Sequence, residues 1–230
     1  MRRLIILVAA IAVAASWGSP GVHAASYEWG IRYLNYGSCC LGDSLNGTKA
    51  SIEVNYFNPL TNQCLSAQSY GVGFNNTDDL IVVDLLRCGS STGIDGTCSE
   101  SNNFVRAVEV LINGIYHCYE HGAASWGTNY TMDVLNEYQS LWWAHINGTA
   151  YENETFSTGT AEAIQEGIED GQTTSNIFCS GWSAASVFAQ TSAWQRFEIN
   201  VSWKTVQSSR SQSGCFTLSG GPPGAFSIQH

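Results

Sequence analysis

Short apolar runs alternate with polar residues along most of this chain and are broken by Gly, Asn and Ser, a period of two that belongs to strands rather than helices. Ile52, Val54 and Tyr56 alternate with Glu53 and Asn55, which predicts a half-buried strand. Phe197, Ile199, Val201 and Trp203 alternate with Glu198, Asn200 and Ser202 and predict another. Leu80 to Leu86 is almost continuously apolar, as expected of a central strand buried on both faces. The clearest hairpin is Leu141 to Ile146, Asn147-Gly148, then Thr149 to Tyr151, because Asn-Gly takes the positive φ angles of a type I′ turn. Tyr130, Met132 and Val134 alternate just before it, so residues 130–156 are expected to form three consecutive antiparallel strands. Strands joined by short loops, with no run of helices between them, predict an all-β fold. The expected form is an antiparallel β-sandwich of jelly-roll or concanavalin-like type.

The N-terminus departs from this pattern. Arg2 and Arg3 precede an apolar run from Leu4 to Ala15, and Val22-His23-Ala24 fits a cleavage site, so residues 1–24 read as a secretory signal peptide. Residues 25–230 are then one secreted, extracellular domain of ordinary length. Nineteen acidic residues against nine basic ones give a net charge of −10, two units more negative once Arg2 and Arg3 are removed, which disfavours nucleic acid and anionic membrane as partners. After the leader no apolar stretch approaches the roughly 18 residues needed to span a bilayer. Six Asn-x-Ser/Thr sites, at Asn46, Asn75, Asn129, Asn147, Asn153 and Asn200, make a glycoprotein of it if the host glycosylates.

Export changes the meaning of the eight cysteines, Cys39, Cys40, Cys64, Cys88, Cys98, Cys118, Cys179 and Cys215, which are expected to pair as disulfides that brace the sandwich. Cys88 and Cys98 bracket a Gly- and Ser-rich segment and are the most local candidate pair. Adjacent Cys39 and Cys40 would each reach a distant partner such as Cys64 or Cys215, which leaves Cys118 for Cys179. The Ser-, Gly- and Pro-rich stretch 208–224 would be tied down by Cys215.

Candidate chemistry is sparse. His117 and His121 could share a metal on a helix but stand about 13 Å apart on a strand, and the alternation around them favours the strand. Ser183 in Gly181-Trp182-Ser183-Ala184-Ala185 lacks the final glycine of a nucleophile elbow. Asn75, Asn76, Asp78 and Asp79 lack the ordered spacing of a calcium loop. No metal and no cofactor is called for. Trp126, Trp142, Trp143, Trp182 and Trp194 fit core packing first and stacking on sugar rings second. The densest acidic segment, residues 161–170, reads two ways. As a helix, Ala161, Ile164 and Ile168 point inward and the acids are a solvated face. As a strand, Glu162, Ile164, Glu166 and Ile168 share one face, and a glutamate beside apolar neighbours gains proton affinity useful to a general acid or base. The helix or plain surface reading carries more weight.

Ala161-Glu162-Ala163-Ile164-Gln165-Glu166 resembles the Ala-Glu-Trp-Ile-x-Glu segment of the glutamic peptidases, secreted acid-acting enzymes with a concanavalin-like β-sandwich. Gln68-Ser69-Tyr70-Gly71-Val72 is similar to their Gln-x-Gly-Val segment, in the same order, with Gln68 one residue farther from its glycine. Leu141-Trp142-Trp143-Ala144 is similar to the paired tryptophan strand of the neprosin group, although that group's Gly-Gly-Glu is absent and Ala163 replaces a Trp. The resemblance implies a catalytic Glu162 acting as general base on water and a Gln68 amide that holds the water and the oxyanion. Trp142 and Trp143 would contact a polypeptide substrate. The alternative is a lectin-like module of the same architecture that binds a glycan.

Overall fold

The structure, a computed structural model, describes residues 26–35, 45–56, 63–72, 74, 79–88, 103–172, 186–190, 192–193, 195–198, 202–207, 209–213 and 216–229. Among these there are sixteen strands and no helix. In chain order they are β1 (Ser26–Asn35), β2 (Gly47–Val54), β3 (Gln63–Val72), β4 (Leu80–Cys88), β5 (Val105–Ile112), β6 (Ile115–Ala123), β7 (Asn129–Tyr138) and β8 (Leu141–Ile146). There follow β9 (Thr149–Thr155), β10 (Ala163–Gln172), β11 (Ser186–Gln190), β12 (Gln195–Glu198), β13 (Ser202–Thr205), β14 (Arg210–Ser213), β15 (Thr217–Gly220) and β16 (Phe226–Gln229). A seven-stranded sheet runs β14-β1-β10-β3-β4-β5-β6, and a nine-stranded sheet runs β15-β16-β11-β2-β7-β8-β9 with β12 and β13 appended to β2. Every strand pairing is antiparallel.

One core joins the two sheets. Ile81, Val83, Leu85, Val108, Val110, Ile164 and Ile168 from the first sheet pack in one cluster with Ile52, Val54, Met132, Val134, Trp142, Ala144 and Ile146 from the second. Their period-two spacing places each set on one face, so the antiparallel sandwich follows from the alternation itself. β4 is buried along its length from Leu80 to Leu86, between β3 and β5, as a continuously apolar strand should be. The Asn-Gly hairpin forms as the sequence predicts: Asn147 (φ 53°) and Gly148 (φ 75°) join β8 to β9, and β7, β8 and β9 are consecutive neighbours.

Two expectations change. The alternation from Phe197 to Trp203 is not one strand but a hairpin of β12 and β13, in which Phe197 stands opposite Trp203 with ring centroids 5.2 Å apart. Alternation survives a tight reversal when an odd number of residues separates facing positions, so period alone cannot place the turn. β2 ends at Val54, and Tyr56 beyond it is exposed, its ring against the edge of Trp126. Near the C-terminus, β14 joins the edge of the seven-stranded sheet while β15 and β16 extend the nine-stranded one, so these last three strands are divided between the two layers.

Candidate functional site

The chain crosses from one sheet to the other between β9 and β10, and this crossover fixes where the acidic segment lies. Phe156, buried at its start, stacks on Phe74 at 4.2 Å, and Trp142 meets the same Phe74 edge-on at 5.0 Å. The Trp142 indole N–H donates to the Thr158 carbonyl at 3.1 Å, and the buried Asn46 carboxamide donates to the Gly159 carbonyl. Ala161 then bridges Leu45, its N–H donating to the Leu45 carbonyl at 2.8 Å. Four consecutive anchors thus set the register at which β10 begins.

The acidic segment is a strand, not the helix or surface stretch favoured above. β10 pairs with β3 on one side and β1 on the other over ten residues each. Ile164 and Ile168 point into the core at zero exposure, and Glu166 lies between them on the same face, also fully buried. Among the described residues neither Glu166 carboxyl oxygen has a hydrogen-bond partner. Burial holds its proton well above the usual carboxylate range. Across the two neighbouring strands Glu166 stands opposite Ser69 and Arg32 in register, while Gln68 stands opposite Gly167. Gln68 and Glu166 are therefore one register step apart on adjacent strands, at positions on opposite faces of the sheet.

Glu162 and Gln68 are not brought together. Glu162 is half-buried just ahead of β10, five residues before Gln68's partner Gly167, which at about 3.3 Å per residue is roughly 16 Å along the strand. A single water cannot bridge that gap, so the pairing implied for these two residues is corrected. Trp142 is likewise a core residue at zero exposure and offers no ring face to a ligand, whereas Trp143 is half-buried on the outer face. Trp126 stacks face to face on Phe104 at 3.7 Å with the Arg87 guanidinium 5.4 Å from its ring centre. Trp182, Trp194, Ser183, Asn75, Asn76 and Asp78 lie outside the described residues. Asp79 accepts the Asn113 N–H at 2.7 Å. His117 and His121 lie on β6, and among the described residues no group of three or more His, Cys, Asp or Glu is placed to hold a metal.

Cys118 is disulfide-bonded. Cys39, Cys40, Cys98, Cys179 and Cys215 lie outside the described residues, so the pairs expected of them do too. Cys64 and Cys88 stand directly opposite each other in the β3–β4 ladder.

Gln68 also faces Asp84 across β3 and β4, and the same row continues through Ala107 to Glu120. Asp84 is fully buried, and burial raises the proton affinity of Glu120. The row presents an amide position and two carboxyl groups on the face of the seven-stranded sheet turned away from the core.

A second titrating cluster lies on the outer face of the nine-stranded sheet. His145 Nδ1 is 2.8 Å from Asp133 Oδ1 and its Nε2 is 3.6 Å from Glu137 Oε1, with Lys49 Nζ 3.9 Å from Asp133 Oδ2. The Asp133 carboxylate raises the His145 pKa, outweighing partial burial. A histidine whose folded pKa exceeds its ordinary value of about 6.5 contributes stability in full below that pH and loses it as pH rises through the folded pKa. His145→Gln is expected to lower the thermal midpoint at pH 5 and to change it much less at pH 9. An equal loss at both would show that the ring matters only by packing.

The most strongly perturbed carboxyl is Glu166, and the signal that finds it is local. Ile164 and Ile168 flank Glu166 at a spacing of two on both sides, whereas Glu162 has Thr160 on one side. Once the segment is a strand, burial follows from that spacing.

No family model matches the sequence, and no curated protein matches it. Among solved structures the fold is similar to scytalido-glutamic peptidase bound to a peptide-based transition state analog, with TM-score 0.51 and 12% identity over 90% of this chain and 99% of that one. SCP-B, a member of the eqolisin family of peptidases solved with the tripeptide Ala-Ile-His, gives TM-score 0.48 and 11% identity over 90% and 99% of the two chains. The likeness to the first is one of fold, an all-β antiparallel sandwich.

Proposed function

We propose that this chain is an exported hydrolase that cuts polypeptides in the acid range, with Glu166 carrying the proton and the Gln68 amide binding the oxyanion. The observation that carries this reading is the fully buried Glu166 carboxyl, without a hydrogen-bond partner among the described residues, on the strand that pairs with the one carrying Gln68. A carboxyl that stays protonated through the acid range can deliver its proton to the departing amine nitrogen while water attacks the scissile carbonyl. An amide N–H held at the developing oxyanion lowers the same barrier. In the register described, Glu166 faces the core and Gly167 shares the Gln68 pairing. The productive form therefore needs a local bulge that turns Glu166 toward Gln68, a departure from the unbroken ladders on both sides of β10. Gly167, at φ 152°, is the residue that can supply it, since bulges beside active sites re-aim a single side chain. The fold likeness supports a peptide as substrate but does not identify the reacting groups.

The test is digestion of an acid-denatured protein by the folded chain, with fragments identified by mass. Cleavage is expected at pH 3–5 and is expected to fade as pH rises through the Glu166 pKa. No cleavage across pH 3–7 would reject the reading.

A further inference from the structure

Three of the six Asn-x-Ser/Thr sites are exposed in the structure, at Asn129, Asn147 and Asn153, and one, Asn46, is wholly buried. Their surroundings separate them. The Asn46 carboxamide nitrogen donates to the Gly159 carbonyl in the crossover that sets the β10 register, so a sugar on that nitrogen is incompatible with the fold. Asn147 spends its carboxamide oxygen on the Thr131 N–H at 2.9 Å, inside the β8–β9 turn. Asn153 differs from both: it is exposed on β9, its sequon residue Thr155 is exposed two positions on, and directly across the ladder stands Trp143. Facing residues on one side of a sheet have Cβ atoms about 4.5–5.5 Å apart. Trp143 is half-buried, with His145 stacked at 6.5 Å.

We infer that Asn153 is an N-glycosylation site whose first N-acetylglucosamine lies on the Trp143 indole. The donor is an oligosaccharide on a lipid pyrophosphate. The Asn153 Nδ2 forms a bond to C1 of the first sugar, the C1–O bond to the pyrophosphate breaks, and the amide loses one proton. The apolar face of the sugar ring then covers aromatic surface that the protein leaves partly in water. Among the described residues β9 is the last strand of the nine-stranded sheet, so the same glycan stands beside that edge and hinders pairing with another chain. This explains why an aromatic ring faces an exposed sequon there, and it needs no separate sugar ligand for Trp143.

The experiment secretes the full chain from a host that N-glycosylates and maps each sequon by glycopeptide mass spectrometry. Glycans are then trimmed to a single N-acetylglucosamine, and thermal midpoints of wild type, Asn153→Gln, Trp143→Leu and the double variant are compared. Asn153 is expected to be occupied and Asn46 empty. Loss of the Asn153 sugar is expected to lower the midpoint by a few degrees when Trp143 is present and by nothing measurable in Trp143→Leu. An unmodified Asn153 would overturn the proposal, as would a sugar whose effect is the same with and without the indole. Neither outcome bears on hydrolysis by Glu166.

Discussion

Trp142→Ala is expected to cost about 3–5 kcal/mol of stability, the range for removing a large aromatic from a packed core. Trp142 is fully buried, meets Phe74 edge-on at 5.0 Å, and donates its indole N–H to Thr158 at 3.1 Å. Truncation leaves a cavity between the sheets and a crossover carbonyl without its donor, and both effects fall where β10 enters its sheet. Trp143→Ala, one residue on but facing outward, is expected to cost about 1 kcal/mol or less, as surface changes do. Denaturant unfolding of the two variants beside wild type checks this, with midpoints shifting at unchanged slope. Similar losses for both would mean that Trp142 is not the anchor that the packing makes it.

Glu166→Gln is expected to stabilise the fold at neutral pH while leaving it unchanged in acid. The folded state holds the Glu166 proton well above the usual range, whereas the unfolded chain releases it near the ordinary value of about 4.3. With the folded pKa raised, the full stability is present below that ordinary value and is lost progressively as pH rises toward the folded pKa. Glutamine keeps the shape and removes the proton, so the variant escapes the loss. Melting curves of wild type and variant should coincide near pH 3 and separate above pH 5, the variant melting higher. A variant that melts lower at pH 7 would mean that the carboxylate has a stabilising partner there.

Much of the fold is legible in the sequence because its signals are local. Asn147-Gly148 specifies one turn, and the apolar run Leu80 to Leu86 specifies a strand buried on both faces. The Phe197 to Trp203 hairpin is not legible, because its alternation continues through the reversal and no Gly or Pro marks the turn. The site is less legible still. Glu162 and Glu166 are four apart, equally compatible with one face of a strand or neighbouring turns of a helix, and only pairing with β3 and β1 decides between them. The distance from Glu162 to Gln68 is likewise a matter of register, which depends on the Asn46, Trp142 and Ala161 contacts to residues far away in sequence. The paired tryptophans show the same limit: adjacency in a strand guarantees opposite faces, so at most one of the two could meet a ligand.

The most direct measurement is the rate at which wild type, Glu166→Gln and Glu162→Gln cleave one denatured protein between pH 3 and pH 5, each variant first shown to be folded. Glu166→Gln is expected to lose at least about 100-fold, the lower bound for a positioned general acid, and Glu162→Gln to cleave at close to the wild-type rate. Cleavage by Glu166→Gln at the wild-type rate, or loss confined to Glu162→Gln, would contradict the role given to Glu166.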